Sequence, residues 1–202
     1  QELAVSAIIL SLGYALSDPT EYDELGYGRF PNVIHSMQYE RLASRSGPTE
    51  GIVMRPSDGK LPQRIAWLQC VGSRDENRPY CSRICCTTSV AQAIAIKDQY
   101  PDTNVYILYR DMRTFGEREV LYKEARAKGV IFIRYSLDAK PTVSKGDDGL
   151  EVRLFDPILQ RKVSIKADLI NLATAIVPTE NSRLAAFYKL PVNSDNFFME
   201  AH

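Results

Sequence analysis

The apolar and polar positions change rhythm along the chain. Ala4 to Leu12 is an apolar, β-branched run closed by Gly13, the pattern of a buried strand ending in a turn. Asp18 to Lys60 is rich in Tyr, Gly, Pro and Ser and holds the turn signals Gly47-Pro48, Pro56-Ser57 and Asp58-Gly59. It reads as a long connector with one short helix over Ser36 to Ala43, aromatic enough to pack on something. From Arg64 onward strand and helix alternate. Ile65 to Val71 is a strand; Cys81 to Tyr100 is a helix with apolar Ile84, Ala91, Ile94 and Ala95; Val105 to Tyr109 is a second strand. Glu117 to Lys128 is a helix stopped by Gly129, and Val130 to Tyr135 a third strand. After Ser136 come short strands over Lys140 to Val143, Leu150 to Phe155 and Val163 to Lys166, and then the fully apolar return Asp168 to Thr174.

Alternating strands and helices of these lengths predict right-handed crossovers and a parallel sheet, and the short strands an antiparallel meander. The fold class is therefore α/β. Paired βαβ units, a meander and a returning strand are the order of a pyridine-nucleotide domain in flavoproteins that bind two dinucleotides. The expected organisation is a partial FAD-domain strand and connector over 1–60, a pyridine-nucleotide-like domain with a cysteine insert and meander over 61–167, and a return into the FAD domain over 168–202.

Composition changes this picture little. The chain has 202 residues, 45% of them hydrophobic and 25% charged, as in an ordinary globular protein. Its 25 basic and 25 acidic residues cancel, leaving no electrostatic footprint for nucleic acid. No apolar run approaches the roughly 20 residues of a transmembrane helix, and no signal peptide opens the chain, so a cytoplasmic location is expected. The abrupt start at Gln1-Glu2-Leu3 and the end at Phe198-Met199-Glu200-Ala201-His202 predict an internal piece of a larger protein.

The four cysteines fall in one window, Cys70-x10-Cys81-x3-Cys85-Cys86. Free thiols are commonly small buried hydrophobes, but such crowding argues against that role. A cytosolic-looking domain of this size needs no disulfide staples. Structural zinc favours closely spaced pairs on two separate turns, which are missing here. Thiolates converging from a strand end, a loop and a helix start can supply the four-cysteine set of an iron–sulfur cluster. The helix N-terminus and Arg74, Arg78 and Arg83 add positive charge. Cys85 and Cys86, adjacent on a helix, point about 100° apart, which is awkward for ordinary ligation.

Gly26-Tyr27-Gly28, Ser46-Gly47-Pro48-Thr49-Glu50-Gly51, Arg55-Pro56-Ser57-Asp58-Gly59, Gln69-Cys70-Val71-Gly72-Ser73-Arg74-Asp75 and Tyr80-Cys81-Ser82-Arg83-Ile84-Cys85-Cys86 together resemble the heterodisulfide reductase A-subunit family. Tyr109-Arg110-Asp111-Met112-Arg113-Thr114-Phe115-Gly116 and Asn196-Phe197-Phe198-Met199-Glu200-Ala201-His202 fit the same pattern. The resemblance implies an oxidoreductase subunit with a thioredoxin-reductase-like FAD/NAD(P)-binding fold that passes electrons among partner redox subunits. It maps a [4Fe-4S] cluster to Cys70, Cys81, Cys85 and Cys86. It also places the flavin against the strand ends Leu10 to Gly13 and Leu172 to Ala175, making Gly13, Thr174 and Ala175 the cofactor-binding candidates. The family's Ala-Thr-Gly form is altered here, with Leu12 in the first segment and Ala175 replacing glycine in the second. FAD is expected in the full-length protein and not in a chain of this extent, which would itself be inactive. A zinc-stabilised or cofactor-free docking module for partner redox subunits is the alternative.

Other chemistry is sparse. In place of G-x-G-x-x-G after the strand at Ile65 to Val71 stands Gly72 with a long insert, and Asp111 is the lone acidic candidate for a ribose hydroxyl. His35 and His202 form no recognisable nucleophile arrangement. Arg110, Arg113, Lys123 and Lys128 read as solvated faces or a docking surface.

Overall fold

The computed structural model describes residues 4–199. His202 and the last residues of the Asn196 to His202 motif lie outside the described residues. Contacts divide the chain into a large unit, 18–175, and a small one formed by 4–17 with 176–199.

The large unit is built on a five-stranded parallel sheet. In chain order its strands are β2 (Val33–His35), β3 (Arg64–Val71), β4 (Asn104–Tyr109), β5 (Ile131–Arg134) and β9 (Leu169–Thr174). Their spatial order is β2-β9-β3-β4-β5. Helices α1 (Ser36–Ala43), α2 (Cys85–Gln99) and α3 (Glu119–Ala127) cover one face. Tyr39, Val90, Ala93, Ile96 and Ala125 pack there on Ile65, Trp67, Val105, Ile107 and Leu169. The antiparallel meander β6 (Thr142–Gly146), β7 (Gly149–Asp156) and β8 (Arg161–Ala167) covers the other. Val143, Leu150, Val152, Leu154 and Ile165 meet Ala66, Leu68, Ile170 and Leu172. Because strand side chains alternate between faces, each central strand feeds both cores and reads as a continuous apolar run, which is why β3 and β9 are so legible.

The connector docks through α1, at the predicted Ser36 to Ala43, and through β2, which the sequence reading missed. Three residues leave no alternation to detect; β2 exists because β9 offers it an edge, pairing Val33 with Ile170 and His35 with Leu172. The 168–174 return is thus a central strand of the same sheet as 61–167, and the chain leaves the large unit only after Ala175.

In the small unit, β1 (Ala15–Leu16) pairs antiparallel with β10 (Ile176–Val177), followed by α4 (Ser182–Tyr188). Residues 4–12 form no strand, contrary to expectation, and Val5, Ile8 and Ile9 are exposed. An extended segment is held by ladder hydrogen bonds, and residues 4–12 pair with no described strand. No helix among the described residues is long and apolar enough to cross a membrane.

Candidate metal centre

The cysteine corner starts from an irregularity in β3. Its register with β9 runs from Ile65↔Leu169 to Leu68↔Leu172, then slips so that Val71 faces Thr174. The extra residue is a bulge, and Cys70 within it takes a left-handed φ of 58°. That conformation costs a non-glycine residue about 1–2 kcal/mol. Bulges re-aim side chains beside functional sites, and this one lifts Cys70 out of the strand alternation. Two residues on, Gly72 also has a positive φ, and a Cβ there would stand 2.5 Å from Tyr22 Oη. The connector's Tyr22 therefore covers the turn that carries the glycine fingerprint in dinucleotide folds.

The insert closes on itself. Arg74 N donates to Tyr80 O at 3.1 Å and Asp75 N to Arg78 O at 3.2 Å. Ser73 Oγ donates to Tyr80 O at 2.9 Å. Helix α2 begins at Cys85, four residues later than the sequence predicts. Arg83 at φ 64° breaks the helical path before it, and its N–H donates to Cys81 Sγ at 3.3 Å. Cys81 is thus a loop residue, whereas Cys85 and Cys86 lie in the first turn of α2, whose N-cap Ile84 supplies no side-chain cap. That leaves the first N–H groups of α2 without a side-chain acceptor.

The end of β4 holds this loop from below. Arg110 Nη1 donates to Arg74 O at 2.8 Å and to Ser73 O at 3.3 Å, so Arg110 is a loop anchor rather than a solvated strand end. Asp111 accepts from Arg74 Nη2 at 2.6 Å and from Arg134 Nη2 at 3.2 Å, so the carboxylate suggested for a ribose hydroxyl is engaged by two arginines. Of the three arginines read as cysteine neighbours, Arg74 alone is engaged with Cys70: Arg78 pairs with Glu21 and Tyr22, and Arg83 is exposed. These anchors carry no local sequence signature, because Arg110 and Asp111 meet the loop only across the sheet.

All four cysteines are free thiols. The adjacent thiols act oppositely on each other: interaction with Cys86, helped by burial, pushes Cys85 well above the usual thiol range, while interaction with Cys85 draws Cys86 down to about 7, and Cys86 Sγ donates to Asp111 O at 3.8 Å. Burial raises Cys70, as does charge on Cys86 and Cys81, while Arg74 and Arg110 oppose the rise. The thiols are thus close enough to resist one another's ionisation, and a cationic metal core relieves that repulsion. In donor chemistry the site suits a thiophilic metal or cluster. In position it is open: no group of three or more His, Cys, Asp or Glu among the described residues stands at metal-holding separation.

The flavin candidates are placed separately. Thr174 and Ala175 end β9 and are buried; Thr174 Oγ1 has no hydrogen-bond partner, a free hydroxyl that suits a polar cofactor edge. Gly13, in the small unit, has φ 64° and open space where a Cβ would stand.

A parallel sheet with helices on one face and a meander on the other is the fold of flavoprotein disulfide reductases. The HOCl-induced flavoprotein disulfide reductase RclA of Escherichia coli is similar over 95% of this chain and 35% of its own, with TM-score 0.50 and 15% identity. This is the thioredoxin-reductase-like class expected from the sequence. No protein-family profile matches the chain. Individual relatives are close. It is 43% identical to the A subunit of H(2):CoB-CoM heterodisulfide,ferredoxin reductase from Methanothermobacter thermautotrophicus, over 100% of this chain and 31% of that protein. It is also 43% identical to the second iron-sulfur A subunit of CoB--CoM heterodisulfide reductase from Methanopyrus kandleri, with the same coverage of 100% and 31%. The chain belongs to the heterodisulfide reductase A-subunit family and spans about a third of the length of the curated relatives it matches.

Proposed function

We propose that the chain is the electron-transfer section of a heterodisulfide-reductase-type iron–sulfur flavoprotein subunit, with Cys70, Cys81, Cys85 and Cys86 as the ligands of a [4Fe-4S] cluster. What supports this reading is the donor chemistry of four free thiols on a bulged strand end, a loop and a helix start, with Cys70 and Cys85 feeling the charge of the other thiols, while no three of them stand at metal-holding separation. The name of the Methanopyrus relative, an iron-sulfur subunit, supports it. Once bound, the cluster supplies one-electron storage; the chain's own residues do the rest. Cys86 would provide a buried donor, Cys70 and Cys85 half-buried ones and Cys81 one from the loop, and the first N–H groups of α2 would offer hydrogen bonds to sulfur. In the longer protein Thr174 and Ala175 of the large unit would contact FAD, Gly13 is the cofactor-binding candidate of the small unit, and other redox subunits of a heterodisulfide-reductase complex would deliver and accept electrons. The whole assembly would work as an oxidoreductase in the cytoplasm.

Anaerobic reconstitution with iron and sulfide tests this reading. Iron and acid-labile sulfide should be retained in the wild type, and Cys70→Ala, Cys81→Ala and Cys85→Ala should each lose most of it. Unchanged iron in all three variants, or stoichiometric zinc without iron, would refute the cluster and favour a docking module.

A further inference from the structure

The outer face of the meander carries chemistry that the fold does not use. Val143, Val152, Leu154 and Ile165 pack toward the parallel sheet, so the residues between them face outward. Strand register sets Thr142 beside Arg153 and Arg153 beside Ser164, and in the next row Phe155 beside Lys162. The same register carried two residues further brings Lys140 to the other flank of Phe155, and all six residues line one groove. Its floor is apolar, its rim is cationic, and no carboxylate lines it. Arg153 is paired with Glu151, but Lys140, Arg161 and Lys162 form no ion pair among the described residues. Beyond Phe155 the hairpin turns through Ile158 and Leu159, which are 79% and 53% exposed. Asp156 Oδ1 pins that turn by accepting from the N–H groups of Ile158 and Leu159, at 2.8 and 3.0 Å. Two large aliphatic side chains are thus held out in water, on a fixed turn, beside cations that nothing balances.

We propose that this face, the groove of Lys140, Phe155 and Lys162 with the Ile158–Leu159 tip, docks a partner protein that presents carboxylates around an apolar ridge. An apolar centre inside a polar rim is the anatomy of a protein interface, and unpaired cations select a partner of opposite sign. A second copy of this chain fits poorly, because a two-fold interface sets the same lysines against one another. A bilayer would take the protruding tip but leave the concave groove behind it unfilled. That the partner is a redox subunit rests on the function proposed above; the surface itself does not.

Carbodiimide joins an amine directly to a carboxylate and so reads this contact in the intact complex of the longer protein, purified anaerobically. Mass spectrometry should find Lys140 and Lys162 linked to carboxylates of another subunit. Links confined to the same subunit or to a second copy of it, or neither lysine linked, overturn the proposal. When separated subunits are recombined, Lys162→Glu should slow association about fivefold, the effect of reversing a rim charge. Lys145→Glu reverses an exposed lysine at the far end of the same sheet and should change the rate less than about twofold. Equal losses would show that overall charge acts rather than this face. Should Lys162→Glu disturb folding by Trp67 fluorescence, Leu159→Ser, which leaves the charge alone, should still speed dissociation; an unchanged rate overturns the docking site. Binding to phosphatidylserine vesicles that Leu159→Ser abolishes would assign the face to a membrane instead and refute a protein partner. Iron content separates this surface from the proposed function: an iron-free complex that still gives the links refutes the cluster alone, and an iron-loaded complex without them refutes the surface alone.

Discussion

Replacing Asp168 tests whether the sheet is held from the end opposite the cysteines. Asp168 Oδ2 accepts from the backbone N–H groups of Gln63 and Arg64, both at 2.9 Å, and Oδ1 from Arg64 Nη2 at 2.7 Å. It therefore ties the starts of β3 and β9 together. Its side chain is 6% exposed and that of Arg64 20%, so the pair is largely desolvated. Asp168→Ala leaves two backbone donors without an acceptor, at about 1–3 kcal/mol each. Arg64 keeps Asp148 at 3.1 Å, so its charge is not stranded. The total should come to about 3–5 kcal/mol, in the range for breaking a buried pair. In Asp168→Asn an amide oxygen still accepts, and the cost should fall to about 1–2 kcal/mol. Trp67, the chain's single tryptophan, is fully buried and reports unfolding by fluorescence in urea. With a urea slope of about 2–3 kcal/mol per molar, Asp168→Ala should lower the midpoint by about 1–2 M. Iron bound per folded molecule should not change, because the cysteines lie at the far end of β3, about 20 Å away at the usual strand rise. A midpoint shift below about 0.3 M would refute this account of the sheet's anchor.

Two further outcomes follow from the same geometry. Gly72→Ala should destabilise more than Gly59→Ala: both glycines have φ 69°, but an added Cβ meets Tyr22 Oη at 2.5 Å in the first and open space in the second. Equal losses in thermal melts would show that Tyr22 yields freely. The hydrogen bond from Arg74 holds the Asp111 carboxyl below its ordinary range, against burial and with help from the charges of Arg74, Arg134 and Arg113. Stability from this group is therefore complete above the unfolded value of about 4 and lost as pH falls through the lower folded one. Its side chain is 42% exposed, so the effect is modest. The urea midpoints of wild type and Asp111→Asn should run parallel above about pH 5 and converge in acid; a constant gap down to about pH 2 would exclude the linkage.

The sequence by itself determined the elements whose signal is local and strong. The buried runs of β3, β4 and β9, the meander and the helix Ser36–Ala43 all lie close to where periodicity places them. The crowding of Cys70, Cys81, Cys85 and Cys86 was equally legible and carried the family resemblance with it. Tertiary structure decided the rest. Residues 4–12 have a strand's composition but pair with no described strand, and β2 has almost no pattern but pairs along β9. Pattern records which residues suit burial; pairing depends on what the distant chain brings alongside. The same division runs through the cysteine corner. Nothing local predicts a left-handed Cys70, because the bulge arises from the register β3 must keep with β9. Nor does it predict that Arg110 and Asp111 turn inward, because their partners in the loop are some thirty-six residues earlier in the chain. The thiols and the basic residues around them were visible in the sequence, but that Arg78 is taken up by Glu21 and Tyr22 and that Arg83 is exposed was not, because charge acts through space and only the folded chain sets those distances.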